Sequence, residues 1–233
     1  MSVCHVPCLE ALRIVSRDRS HLDVITGREV LRTMQWHANL YVDLQDEVSQ
    51  IRKEYVDRVN NNSTVVIEAQ KCLCNLIFNS SSAQRSCSYS GCIEGIVQRL
   101  KTYRDPGLPH EIKYFDMRML FLLTALVADI RPRLRQELHG LTYLMEALDL
   151  IIKTSKNHES RDNRVEDTDV PLTGNEVDLA CEILKVLFNL TVHVDKTNLD
   201  EEEEAHFMRM VSILHDLLIC QTESKEKREE LVR

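Results

Sequence analysis

The string "EAQKCLCNLIFN" at 68–79 returns as "EILKVLFNLT" at 182–191. In both, a glutamate is followed by a lysine and then an asparagine, among residues that are otherwise apolar. Glu68, Lys71 and Asn75 align with Glu182, Lys185 and Asn189. Positions i, i+3, i+4 and i+7 share one face of a helix, so each set falls on a single stripe. Two weaker copies use the same frame. In "LEALRIVSR", Glu10, Arg13, Val15 and Arg17 occupy it; in "YFDMRMLFLL", Arg118, Leu120 and Leu122 do, with Phe115 in place of the glutamate. A chain that repeats one helix type is constrained to stack it, because no single unit can bury its apolar face alone.

Composition points the same way. There are 6 Gly and 5 Pro, and aromatics make up 5%, too few turn residues and aromatic strands for a sandwich or barrel. The expectation is an all-α, helical-repeat chain, one domain over residues 1–233, with polar loops near 43–64 and 155–175. The net charge of −8 argues against nucleic acid and against an anionic membrane surface. No apolar run is long enough to span a bilayer, and "MSVCHVPCLEALRIVSRD" lacks the features of a signal peptide. The 8 cysteines then read as free thiols in a reducing compartment. Cys4 with Cys8, or Cys87 with Cys92, lacks a second pair at zinc-site spacing, so neither metal nor cofactor is expected.

Helices are expected over 6–17, 26–40, 64–79, 91–103, 110–130, 141–155, 175–194 and 201–221. Leu9, Leu12, Ile14 and Val15 form the apolar stripe of the first. Thr26 with Glu29 reads as a capping box for the second. A further amphipathic helix is expected on Val48, Ile51, Tyr55 and Val59. Pro132 opens a short helix that Gly140 closes, and 223–233 reads as a solvated tail.

In a stack, the equivalent helices line one side. Arg17, Asn75, Leu122 and Asn189 would form a ladder, with Arg13, Lys71, Arg118 and Lys185 beside it. A carboxamide both donates and accepts, so it can pair with the backbone of a bound peptide. An arginine can grip a carboxylate with two parallel bonds. Phe115, Phe121 and Phe188 could supply apolar pockets, and the whole suits a peptide or helix of another protein. The competing reading is plainer: each asparagine caps a neighbouring segment, each phenylalanine belongs to the core, and each Glu–Lys pair is an ordinary surface ion pair. No phosphate loop, "HExxH" or nucleophile elbow is present, so no enzyme is expected.

Five strings in order, "LRIVSRDR", "EAQKCLCNLIFNS", "KYFDMRMLFLLTAL", "RQELHG" and "EILKVLFNLT", resemble the synembryn family, also called resistance to inhibitors of cholinesterase. The resemblance implies an armadillo-like helical-repeat solenoid, an alpha-alpha superhelix. It implies a cytoplasmic protein, with the cell cortex as a further location, that serves G protein-coupled receptor signalling. Such a protein would act as a folding chaperone for heterotrimeric G-protein α subunits. It would also act as a guanine-nucleotide exchange factor on α subunits free of βγ, holding their C-terminal helix in the concave groove. It would work as a monomer, without stable membrane insertion. The family's groove positions fall on Arg13, Arg17, Asn75, Phe115, Phe121, Phe188 and Asn189. Family members run to roughly twice this length. The alternative is an armadillo-type peptide-binding adaptor without exchange activity.

Overall fold

The computed structural model describes residues 5–20, 22–40, 62–156, 170–192 and 201–233. The expected helix around Val48–Val59 and most of the 155–175 loop lie outside the described residues. The chain is all-α, as expected; among the described residues the one β feature is an isolated bridge between Leu172 and Thr222. It divides into two compact units, residues 1–138 and 139–233.

The first unit contains α1 (His5–Val15), a short 3-10 turn at Leu22–Val24, α2 (Arg28–His37), α3 (Ser63–Asn79), α4 (Ser81–Tyr89), α5 (Cys92–Leu100) and α6 (His110–Leu126). A short turn at Ile130–Pro132 runs into a π turn at Arg133–Glu137. Several local expectations change. Thr26 is not a cap: its hydroxyl donates back to the Leu22 carbonyl, and Gly27 is the N-cap of α2, with no side-chain bond. Gly140 does not close the Pro132 segment but begins the next helix; the left-handed residue at that break is His139, at φ 52°. Ile14 and Val15 are exposed, so Leu9 alone of the expected α1 stripe is fully buried. Helix α4 was not expected from its polar sequence "SSAQRSCSY". It exists because Ser80 caps it, accepting from the Ala83 amide, and because Ala83 and Cys87 bury one side.

α3 packs between α1 and α6, making a row of three, while α2, α4 and α5 succeed one another in a second row. Leu73, Leu76, Ile77, Ile93, Ile96, Leu120 and Leu123 fill the space between them with no exposure. Each such side chain contributes about 1.5–3 kcal/mol by leaving water. α5 approaches the end of α2 so closely that a Cβ on Gly95 would lie 2.3 Å from the Leu40 carbonyl oxygen. Only glycine fits there.

The second unit contains α7 (Gly140–Lys156), α8 (Gly174–Thr191), α9 (Glu201–Ile219) and α10 (Lys225–Val232). α7 packs against α8 and α9, and α8 against α10. A capping box starts α8: Thr173 accepts from the Glu176 amide, and the Glu176 carboxylate accepts from the Thr173 amide. The expected solvated tail is instead α10. Ser224 caps it, Lys227 bonds Asp178 of α8, and Leu172 exchanges backbone bonds with Gln221 and Glu223. Among the described residues no helix is long and apolar enough to cross a membrane.

Candidate partner-binding face

The row α1–α3–α6 carries six of the ten candidate residues: Arg13, Lys71, Asn75, Phe115, Arg118 and Phe121. Its centre is Glu68, only 6% exposed. Arg13 Nε donates to one Glu68 oxygen at 2.7 Å and Lys71 Nζ to the other at 2.8 Å. The Glu–Lys spacing is therefore not an ordinary surface pair: the carboxylate is buried and shared by two cations. Burial opposes its charge, but the bonds from Lys71 and Arg13 prevail and hold its pKa below the ordinary value.

Asn75 already uses its donor within the chain. Its Nδ2 donates to the Arg13 carbonyl and to Ser16 Oγ, both at 3.1 Å. One turn on, Asn79 Nδ2 donates to the Ser16 carbonyl at 3.0 Å. The last carbonyls of a helix have no partner within it, and α1 ends at Val15. The two α3 amides satisfy carbonyls there, in the manner of a C-cap supplied by a neighbouring helix. The plain reading thus holds for the Asn75 donor. Because α1 ends at Val15, Arg17 lies beyond the helix, with its amide bonded to the Ile14 carbonyl. Arg13 and Arg17 are consequently not successive positions of one helical face, as the spacing suggested. Leu122 leaves the ladder too: it is 5% exposed and belongs to the core.

What remains outward is a set of cations over half-exposed rings. Lys71 Nζ sits 5.6 Å from the Phe115 ring centre, and Arg118 Cζ 5.5 Å from that of Phe121. Arg19 Cζ lies 5.7 Å from the ring of Phe78, which is 56% exposed. Phe115 and Phe121 are half-exposed, so neither is a core residue; each is a rim ring beneath a cation. Such contacts contribute about 0.5–1 kcal/mol at exposed sites.

In the second unit the repeated frame holds locally. Lys185 Nζ donates to Glu182 at 2.7 Å, and Glu182 is 3% exposed. Phe188 is 63% exposed and Asn189 half-buried on α8. Phe188 is therefore not a core residue.

Behind the outward face lies a polar group that sequence reasoning missed. Arg99 of α5 and Asp116 of α6 are fully buried, with Nη1 and Oδ1 3.4 Å apart. Asp116 also accepts from Gln70 Nε2 at 2.7 Å and from the Tyr103 hydroxyl at 3.4 Å. Arg99 Nη2 donates to the carbonyls of Ala38 and Asn39. Burial pushes the Asp116 pKa up to about 6, against the pull of Arg99, Gln70 and Tyr103. The one sequence hint was an aspartate inside the apolar string "YFDMRML". Its arginine partner sits too far away in sequence to be paired with it by eye.

Among the described residues no group of three or more His, Cys, Asp or Glu is placed to hold a metal ion. The face presents cations, rings and amides bonded within the chain, which are groups that can meet a partner.

Comparison with known proteins places the chain. Chaperone Ric-8A of Gallus gallus is 37% identical over 227 residues, covering 97% of this chain and 40% of that protein. Chaperone Ric-8A of Xenopus tropicalis is 36% identical over 229 residues, with the same coverage. Chaperone Ric-8B of Rattus norvegicus is 34% identical over 233 residues, covering 99% of this chain and 42% of its own length. The chain thus spans about 40% of the length of the curated relatives it matches. The Ric8 family model, described as guanine nucleotide exchange factor synembryn, matches residues 8–233. A match running through both units, over the buried Glu68 and Glu182 alike, means that this chain belongs to the Ric8, or synembryn, family.

Proposed function

We propose that this chain binds heterotrimeric G-protein α subunits, taking their C-terminal helix against the α1–α3–α6 face. It would thereby take part in chaperoning them and in releasing GDP. The carrying observation is the family match over residues 8–233. The names of the relatives, Chaperone Ric-8A and Ric-8B, support the chaperone half, and the family description supports the exchange half.

The chemistry of the face suits the task. Lys71, Arg118 and Arg19 stand over Phe115, Phe121 and Phe78. A partner helix with apolar side chains and acidic or C-terminal carboxylate groups would meet rings and cations together. On the second unit, Lys185, Phe188 and Asn189 of α8 form a separate candidate patch. Exchange would then be differential binding: the nucleotide-free α subunit is held more tightly than its GDP form, and the difference in affinity sets how far GDP release can be driven. The chain would act in the cytoplasm, as a monomer, without a cofactor.

The test is binding of a fluorescent peptide from the C-terminal helix of a G-protein α subunit, followed by GDP release from the whole subunit. Phe115→Ala and Arg118→Glu should each weaken peptide binding about fivefold to thirtyfold, as interface residues worth 1–2 kcal/mol do. Binding without any change in GDP release would leave a peptide-binding adaptor. No binding by folded wild-type protein would reject the reading.

A further inference from the structure

The buried group at Asp116 and the outward rung at Phe115 occupy consecutive residues of α6. Gln70 and Lys71 are likewise consecutive on α3. The inner partners, Gln70 and Asp116, are 2.7 Å apart. The outer partners, Lys71 and the Phe115 ring, are 5.6 Å apart. Successive residues of a helix point about 100° apart, so the inner bond fixes the axial register and rotation of the two helices on which the outer pair depends. Gln70 Nε2 makes a second bond, to the Ile112 carbonyl one turn earlier on α6, at 3.1 Å. Two bonds to successive turns oppose sliding of one helix past the other. Arg99 adds a third element, since it joins Asp116 to the end of α2 through Ala38 and Asn39.

We propose that Gln70 and Asp116 are positioning residues, which hold α6 against α3 in the register that stacks Lys71 on Phe115 and sets Arg118 and Phe121 on the outward face. The proposal deepens the partner-binding reading and rests on it for its functional meaning, but its structural half can be tested without a partner.

The charged and titratable groups facing Asp116 are Arg99 and Cys92 of α5 and Tyr103 of the turn after α5. On its own helix, Lys113 is tied to the Tyr103 carbonyl. From α3 comes only neutral Gln70. Protonation of Asp116 therefore changes the charge opposite Arg99 and the acceptor strength offered to Gln70. The register of the outer rung should respond to it.

The chain has 5 phenylalanines, so uniform 4-fluorophenylalanine labelling gives a short fluorine spectrum, assigned by single Phe→Leu substitutions. Gln70→Leu, which removes the donor at similar volume, should shift or broaden the Phe115 and Phe121 resonances in the folded protein. The Phe188 and Phe207 resonances of the second unit should stay in place. In the wild type the Phe115 resonance should titrate with a midpoint near 6, and Asp116→Asn, which keeps an acceptor for Gln70, should abolish that titration. Removing a group that only adds stability would lower the unfolding midpoint and leave both readings unchanged. A folded Gln70→Leu protein with wild-type Phe115 and Phe121 resonances overturns the proposal. If Gln70→Leu does not fold, Gln70→Ala, which removes the same donor without a branched side chain, decides: wild-type Phe115 and Phe121 resonances in that protein overturn the proposal. A peptide titration of the same samples separates the two ideas. Ring movement in a wild type that binds no peptide sinks the partner reading and leaves the positioning role standing. Peptide binding with immobile rings does the reverse.

Discussion

Glu68 and Asp116 are both buried carboxylates paired with an arginine on another helix, yet their pKa values shift in opposite directions. Glu68 accepts from Arg13 at 2.7 Å and from Lys71 at 2.8 Å, and both cations keep a foot in water. Its pKa falls below the ordinary value. Asp116 meets Arg99 at 3.4 Å with neither side chain exposed, and its pKa rises to about 6. The difference teaches that an ion pair's titration is set by how its bonds compare with the water it gives up. Two short charge-assisted bonds at a rim outweigh the desolvation. One longer contact in the interior, helped by an amide and a phenol, does not.

The most damaging way to break this comparison is Asp116→Leu. It leaves Arg99 buried without its carboxylate, a change that costs about 3–5 kcal/mol. Urea unfolding should show the loss with an unchanged dependence on denaturant; a loss under about 1 kcal/mol would mean that Arg99 finds water or another partner. Glu68→Gln should cost less, about 1–3 kcal/mol, because its two cations can turn to solvent. Asn75→Ala removes bonds to the end of α1, at about 0.5–1.5 kcal/mol each. It should raise amide exchange at 12–17 more than elsewhere. If exchange there stays at the wild-type rate, α1 does not depend on that cap.

The pH dependence sharpens the contrast by sign. Asp116 has a raised pKa, so its contribution is fully present below the unfolded value of 3.8 and fades as pH rises through about 6. Glu68 has a lowered pKa, so its contribution is present above the unfolded value of 4.5 and fades as pH falls through the folded value. Asp116→Asn should remove the first dependence and Glu68→Gln the second, in thermal unfolding run from pH 3 to 8. The smallest effect belongs to the repeated lysines. Lys71→Met and Lys185→Met should each cost about 0.3–1 kcal/mol. A much larger cost at one than at the other would show that the two copies of the frame are equivalent in sequence only.

Much of the fold was legible because helical spacing and scarce turn residues leave few alternatives. α3, α6, α7, α8 and α9 follow their apolar periods closely. Helix α4 escaped notice because its drive comes from Ser80 and from two small buried residues, not from a periodic stripe. α10 escaped because its anchors, Asp178 and Leu172, lie far away in sequence. In the candidate site, the pairing of Glu68 with Lys71 could be read, since both lie on one helix. The third member, Arg13, arrives from another helix, and so does the carbonyl that takes up the Asn75 donor.

The sequence by itself determined that the chain is helical, that one helix type recurs, and that its glutamate, lysine and asparagine share a face, because those properties follow from the spacing along a single helix. Only the tertiary structure decided what each polar group does. It buried Glu68 between two cations, turned Asn75 toward the end of α1, sent Leu122 into the core and hid Arg99 against Asp116. The reason is physical: a side chain's charge and direction are local, but its partner, its water and its cost are supplied by whatever other segment packs against it.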